Sequence, residues 1–209
     1  AVVNDNDFQV AQITIDRSTG TFVRNAGYVP ENTVIGLIDR RGLDASDRDS
    51  RINIRPWPVF GMYEPDAIGH YKVRGRSYVV TANEGDARDW PGYAEEVRVS
   101  SVALDPLAFP DAATLKNNAN IGRLNVTRSQ GDVDGDGDYD QLYTLGGRSF
   151  SIWNEDGAQI FDSGSMLERI TSLAFPERFN AGHDDPAFDN RSDNKGPEPE
   201  GLVIGQLGN

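Results

Sequence analysis

Asp132, Asp134, Asp136, Asp138 and Asp140 set five carboxylates on alternate positions of a nine-residue stretch. An array this self-repulsive is tolerable only when a cation neutralises it or water solvates every side chain. Alternate residues of a tight turn aim at one centre, and hard oxygen donors suit Ca2+, which takes about six to eight of them. Gly137 supplies a turn that a bulkier residue resists. The stretch opens like an EF-hand, but Tyr143 stands at the twelfth position, where an EF-hand places a bidentate Glu. The pattern is therefore read as a calcium loop of another kind, against the plainer alternative of a solvated Asp/Gly turn.

The flanks Arg123–Thr127 and Gln141–Leu145 are rich in β-branched and aromatic residues, which predicts strands on both sides. Such a loop between strands resembles the calcium turns of integrin-type β-propeller blades. That resemblance implies side-chain donors at Asp132, Asp134, Asp136 and Asp140 and a backbone carbonyl donor at Asp138.

With 209 residues the chain suffices for one sizeable core or for part of a larger one. Its net charge of −13 repels nucleic-acid phosphate and favours cations as ligands. Cysteine is absent, which removes disulfides and thiolate metal sites. No apolar run reaches the length of a transmembrane segment. Basic residues are nearly all Arg, with Lys only at 72, 116 and 195. Acid excess with few lysines, and a site type that fills where calcium is abundant, suggest a secreted, extracellular or cell-surface setting, the periplasm included.

An internal repeat suggests the architecture. Residues 64–73 and 75–86 read as two strands joined by a glycine turn, and the Gly75-Arg-Ser-Tyr78 pattern recurs as Gly147-Arg-Ser-Phe150, with Asn-Glu after the second strand in both. A third start stands at Glu198-Pro-Glu200. Further strands are expected over Phe8–Ile15, Glu95–Leu104, Gln159–Phe161 and Ile170–Phe175, and one short helix over Asp111–Asn118 behind Pro110. With 22 Gly and 11 Pro, turns outweigh long helices. The expectation is an all-β protein, about three blades of a β-propeller ring of roughly six to eight blades. In this reading residues 1–60 end one blade and add a long loop, 61–127 form a second, 128–197 a third with the calcium loop, and 198–209 open a fourth. The rest of the ring, or a second chain, would then be the partner that covers the open edges.

Four longer segments carry a family likeness: Gly42-Leu-Asp-Ala-Ser-Asp-Arg-Asp49, Trp57-Pro-Val-Phe-Gly-Met-Tyr63, Thr81-Ala-Asn-Glu-Gly-Asp-Ala-Arg-Asp89 and Arg191-Ser-Asp-Asn-Lys-Gly-Pro-Glu-Pro-Glu-Gly201. From about Asn4 onward the chain resembles the bacterial choice-of-anchor I proteins, also labelled mesenchyme-specific cell-surface glycoprotein-like. The resemblance implies a secreted or surface-anchored propeller of about twice this length. Some members carry the label alkaline phosphatase, and the architecture is similar to phytase-like propellers.

First strands of propeller blades line the central channel, so Asp66, Asp138 or Asp140, and Glu200 are candidates to converge there. Glu84, Arg88 and Glu200 are the candidate catalytic residues, and Asp66, Asp86 and Glu198 a possible second metal site. Such carboxylates could hold metal ions that activate water, while Arg48, Arg88, Arg191 or Lys195 takes the charge of a phosphoester substrate. The competing expectation is a non-catalytic surface or adhesion module that calcium stiffens. His70 and His183 are too few for a histidine zinc site, with His70 expected to pack or hydrogen-bond within a strand. Trp57 and Trp153 are expected in the core, and Trp90 in a loop. Neither a Gly-x-Ser-x-Gly elbow nor a P-loop occurs.

Overall fold

The structure, a computed structural model, describes residues 42–206 together with the backbone of two short strands, β1 (Ile13–Ile15) and β2 (Phe22–Arg24). These two pair antiparallel, Thr14 opposite Val23. The expected strand end over Ala1–Asp7, most of Phe8–Ile15, and the chain beyond Gln206 lie outside the described residues.

In chain order there follow β3 (Phe60–Met62), β4 (Ala67–Val73), β5 (Arg76–Asn83), β6 (Asp89–Trp90), β7 (Tyr93–Ala94) and β8 (Glu96–Arg98). Then come α1 (Ala112–Leu115), β9 (Asn125–Thr127), β10 (Tyr143–Leu145), β11 (Ser149–Asn154), β12 (Gln159–Asp162) and α2 (Met166–Ala174). The fold is mostly β, its sheets largely antiparallel and its helices few. Among the described residues no sheet closes on itself.

The largest sheet has four strands in the order β12-β11-β5-β4, all neighbours antiparallel. β4 alternates half-buried and exposed side chains along its length, as a one-sided strand must. It turns into β5 through Arg74 and Gly75, both at positive φ (50° and 80°), the twist that a two-residue hairpin requires. Tyr71 and Tyr78 face each other across the hairpin with ring centroids 5.1 Å apart. His70, expected to pack or hydrogen-bond, lies instead on the exposed side of β4. The stretches 61–127 and 128–197, expected as successive blades, each contribute a hairpin to this one sheet, because β5 pairs with β11, Val80 opposite Ile152.

Hydroxyl and amide groups stitch the buried part of the sheet. Asn83 donates through Nδ2 to the hydroxyls of Ser149 (2.9 Å) and Ser151 (2.8 Å), and these in turn donate to Asp162 Oδ2. Thr81 donates to Asn83 Oδ1 and accepts from Trp153 Nε1, so these buried polar groups find partners across the strands.

The apolar core sits in the long connection between β5 and β11. Val99, Ile121, Leu124, Val126 and Leu142 are fully buried, with Val102, Leu104, Phe109 and Leu115 around them. Trp57 packs on this cluster as expected and donates from its indole to Leu43 O. Here β8 pairs with β9, and β10 runs parallel to β3 rather than forming a hairpin with the strand after it. The ends of the connection meet at two glycines. A Cβ on Gly146 would lie 1.9 Å from Glu84 O, and one on Gly85 would lie 2.1 Å from Gly146 N, so only glycine lets these backbones cross.

Three expectations need correction. The strand over Ile170–Phe175 is the end of α2, because Met166 and Ile170 lie one turn apart and Glu168 in the first turn is tied into the interior. The strand over Glu95–Leu104 shortens to β8, after which Val99–Ser101 makes a single 3₁₀ turn. Residues 198–206 form no strand. Leu202 and Ile204 instead fill the space beside Gly69 of β4.

Arg148, in the second copy of the Gly-Arg-Ser pattern, joins the sheet to α2 and to the segments on either side. It donates to Glu168 Oε1 at 2.7 Å, to Asp44 O at 2.6 Å, and to the carbonyls of Ser192 and Asn194 at 2.8 and 2.9 Å. Both side chains of the pair are buried, 6% and 0% exposed. Glu168 Oε2 accepts from Asp44 N, and Oε1 accepts also from Asn180 Nδ2. Removing one partner leaves a buried charge without compensation, so Glu168→Gln or Arg148→Met should lower unfolding free energy by about 3–5 kcal/mol, read from urea titrations. A loss under about 1 kcal/mol would show the pair to be dispensable.

Candidate metal centre

The acidic loop stands on a closed base. β9 and β10 are largely buried, and the amides of Asp140 and Gln141 both donate to Gly131 O at 2.9 and 3.1 Å. Gly131 has φ 118°, and a Cβ there would meet Gln141 O at 2.4 Å. Gly135 and Gly137 adopt left-handed backbone inside the loop. The carboxylates organise the turn themselves: Asp132 accepts from the amides of Gly135 and Gly137, Asp134 from Asp136, Asp136 from Asp138, and Asp140 from Val133.

The five acids and Asp105 form two trios, the ligand atoms within each lying within 4.8 Å of one another. Asp132, Asp134 and Asp136 form an exposed trio, whereas Asp138 and Asp140 join Asp105 in a half-buried one. Asp138, expected to offer its carbonyl, brings its side chain, and its Oδ1 is buried without a hydrogen-bond partner. Desolvation, then the charges of Asp136, Asp105, Asp140 and Asp134, push its carboxyl above the ordinary range. Asp105 escaped the sequence reading because it reaches the loop through a parallel bridge between Leu104 and Tyr139, with its amide donating to Tyr139 O at 3.0 Å. Only an acid placed before Pro106 hinted at it, and that acid also caps the next turn through the amides of Leu107 and Ala108.

A second acidic locus is a cleft of about 280 Å³ lined by Glu64, Pro65, Asp66, Glu84, Gly85 and Asp86. Lys195 reaches Asp86 at 3.3 Å and Glu198 at 3.0 Å, and Arg191 pairs with Glu198 at 2.5 Å. Burial raises the Glu84 carboxyl, and the charges of Asp66, Glu200 and Glu198 act in the same direction against Lys195. The fold thus brings Asp66, Glu84, Asp86, Glu198 and Glu200 within electrostatic reach. Among the described residues, however, the only carboxylate trios with metal-ligand spacing are the two around the acidic loop.

Arg88, a candidate for phosphate, is engaged elsewhere. It grips Glu95 with two bonds of 2.9 Å, and Glu95 also accepts from the Thr127 hydroxyl. Arg48 pairs with Asp47. His183 is exposed and meets only its neighbour Asp184. Trp90 is exposed beside Tyr93, and Trp153 packs edge-on against Tyr63.

A family model described as the choice-of-anchor I domain matches residues 10–209. The chain belongs to the choice-of-anchor I family. Among curated relatives, Gigasin-3a of Magallana gigas is 36% identical over 101 residues, covering 46% of this chain and 35% of that protein. The Mesenchyme-specific cell surface glycoprotein of Strongylocentrotus purpuratus is 27% identical over 213 residues, covering 83% of this chain and 27% of that protein. The choice-of-anchor I chain described here spans about a third or less of the length of these relatives. No solved structure matches it. Among its described residues no helix is long and apolar enough to cross a membrane.

Glu95 gives the choice-of-anchor I domain a measurable acid response. The hydrogen bond from Arg88, then that from Thr127, hold its carboxyl at about 2, below its ordinary 4.5. The folded state therefore binds this proton less readily than the unfolded state. The stabilisation is complete above pH 4.5 and fades as pH falls towards about 2. Glu95→Gln should flatten that part of a stability-versus-pH curve and weaken the fold at neutral pH by on the order of 1–2 kcal/mol, because Arg88 is half-exposed. An unchanged acid limb in the variant would place the titrating group elsewhere.

Proposed function

We propose that this chain is a secreted, calcium-stiffened module of a larger cell-surface protein. The observation that carries the reading is Asp138 Oδ1, buried and unpartnered inside a trio of carboxylates and beside a second trio. Asp105, Asp138 and Asp140, with Asp132, Asp134 and Asp136, would hold Ca2+. When bound, the ion supplies the positive charge that offsets their repulsion. The chain itself supplies the mount: Gly131 closes the loop base, and the Asp105 amide holds a second segment against it. Membership of the choice-of-anchor I family, together with a relative named a cell surface glycoprotein, supports the extracellular setting. The four-stranded antiparallel meander has the strand count and order of one propeller blade, which supports a larger ring completed by the rest of a longer protein or by a second chain.

A second reading, metal-dependent phosphoester hydrolysis, rests on the cleft of Asp66, Glu84 and Asp86 with Lys195 beside it. The module reading is preferred, because Arg88, Arg191 and Lys195 all already engage carboxylates.

Calcium that binds only the folded state should raise the melting temperature over that in chelator by roughly 5–10 °C at a hundredfold excess over Kd. Asp134→Asn with Asp136→Asn should reduce that shift. Equal melting in calcium and chelator would end the calcium reading. Turnover of p-nitrophenyl phosphate by the full-length protein, abolished by Glu84→Gln, would replace the module reading with the hydrolase.

A further inference from the structure

Oxygen atoms are buried without partners in a second place, far along the chain from the acidic loop. Asp189 and Asn180 are 2% and 6% exposed, yet Asp189 Oδ2 and Asn180 Oδ1 make no hydrogen bond. Asn194 Oδ1 is buried and unpartnered as well. The three belong to one knot of backbone. Left-handed conformations at Asn180 and Asp189 (φ 42° and 68°) fold the segment back, so that Asp189 N donates to Phe179 O and Arg191 N to Asn180 O, each at 2.8 Å. The Ser192 hydroxyl donates to Asp189 Oδ1, and Asn180 Nδ2 donates to Ser192 Oγ at 2.8 Å.

The orientation of the Asn180 amide is fixed by its neighbours. Its nitrogen meets two acceptors, Ser192 Oγ and the carboxylate of Glu168, so its oxygen must take the unpartnered side. The other acids around the knot have hydrogen-bond or ion-pair partners. Glu168 meets Arg148, Asp193 meets Arg98 and Arg123, Asp47 meets Arg123, and Asp49 meets Arg51. Asp44 accepts amides of Ser46 and Asn53 on its two oxygens. Within this group only Asp189 has a buried carboxylate oxygen, Oδ2, without a hydrogen-bond partner.

A proton on Asp189 would make Oδ2 a donor to one amide oxygen and leave the other bare. A water molecule donates two hydrogens to three acceptors. One carboxylate and two amide oxygens are the donor set of a hard cation. We propose that Asp189 Oδ2, Asn180 Oδ1 and Asn194 Oδ1 are the protein donors of a buried calcium site, separate from the Asp132–Asp140 loop. It ties the 180–194 knot to the Arg148–Glu168 pair and does not depend on the loop reading.

Calcium content of the chelator-stripped protein, measured by equilibrium dialysis, separates the two sites. In the Asp134→Asn/Asp136→Asn background about one calcium per chain should remain, and adding Asp189→Asn should remove it. No calcium in that background, or the same content after Asp189→Asn in a chain that melts cooperatively, overturns the proposal. Crystals of the parent protein grown with calcium give a test that needs no variant. An anomalous difference peak about 2.3–2.6 Å from Asp189 Oδ2 is expected, and none at that position overturns it.

Discussion

The buried pair of Arg148 and Glu168 is the contact on which the arrangement depends. Arg148 spends all its described donors inward: on a carboxylate of α2, on the backbone beside Asp44, and on two carbonyls of the 180–196 segment. Neither charge is exposed, so the pair is stable only while every member is in place, and its loss is felt by three chain segments at once. Such networks add more to the uniqueness of a fold than to its net free energy. Here uniqueness means that a helix and two irregular segments dock at the start of the inner strand β11.

That docking lets a long excursion leave the sheet and return. The chain departs after β5 and comes back at β11, and the crossing of Gly85 with Gly146 admits no side chain at either position. Between those points the excursion builds its own apolar core around Val99, Ile121, Leu124, Val126 and Leu142. The acidic loop is mounted on that core through β9, β10 and the Gly131 base. Carboxylates that repel each other are thereby held by a scaffold whose stability comes from burial of apolar surface elsewhere.

What could be read beforehand was local. The acidic loop announces itself by spacing, β4, β5, β9, β10 and β12 by residue type, and α1 by Pro110 and the residues after it. Ile170–Phe175 reads as a strand because a short apolar stretch fits either period, and the deciding residue, Glu168, owes its role to an arginine twenty positions earlier. The repeated Gly-Arg-Ser pattern suggested equivalent units. In the fold Arg76 opens β5 on the surface, while Arg148 is buried, so identical local sequence serves different tertiary partners. Asp105 reaches Asp138 only through a non-local bridge, and the β5–β11 pairing joins residues separated by the whole excursion. Arg88 looked available for a substrate because nothing in its own segment shows that Glu95 turns back to it across the β6–β7 hairpin.

For a chain with thirteen excess negative charges, the useful distinction is how each buried acid is compensated. Glu95, Glu168 and Asp193 face arginines. Asp44 accepts backbone amides on both oxygens, which offsets part of the cost of its burial. Asp138 and Asp189 each keep one buried oxygen with no partner. The first two classes are complete within the chain itself. In the proposed reading a cation from outside the chain completes the third. An all-oxygen environment selects a hard ion over a soft one, and the absence of cysteine removes the soft alternative altogether. With calcium in the proposed sites, such a fold would be firm where the ion is plentiful and looser where it is scarce.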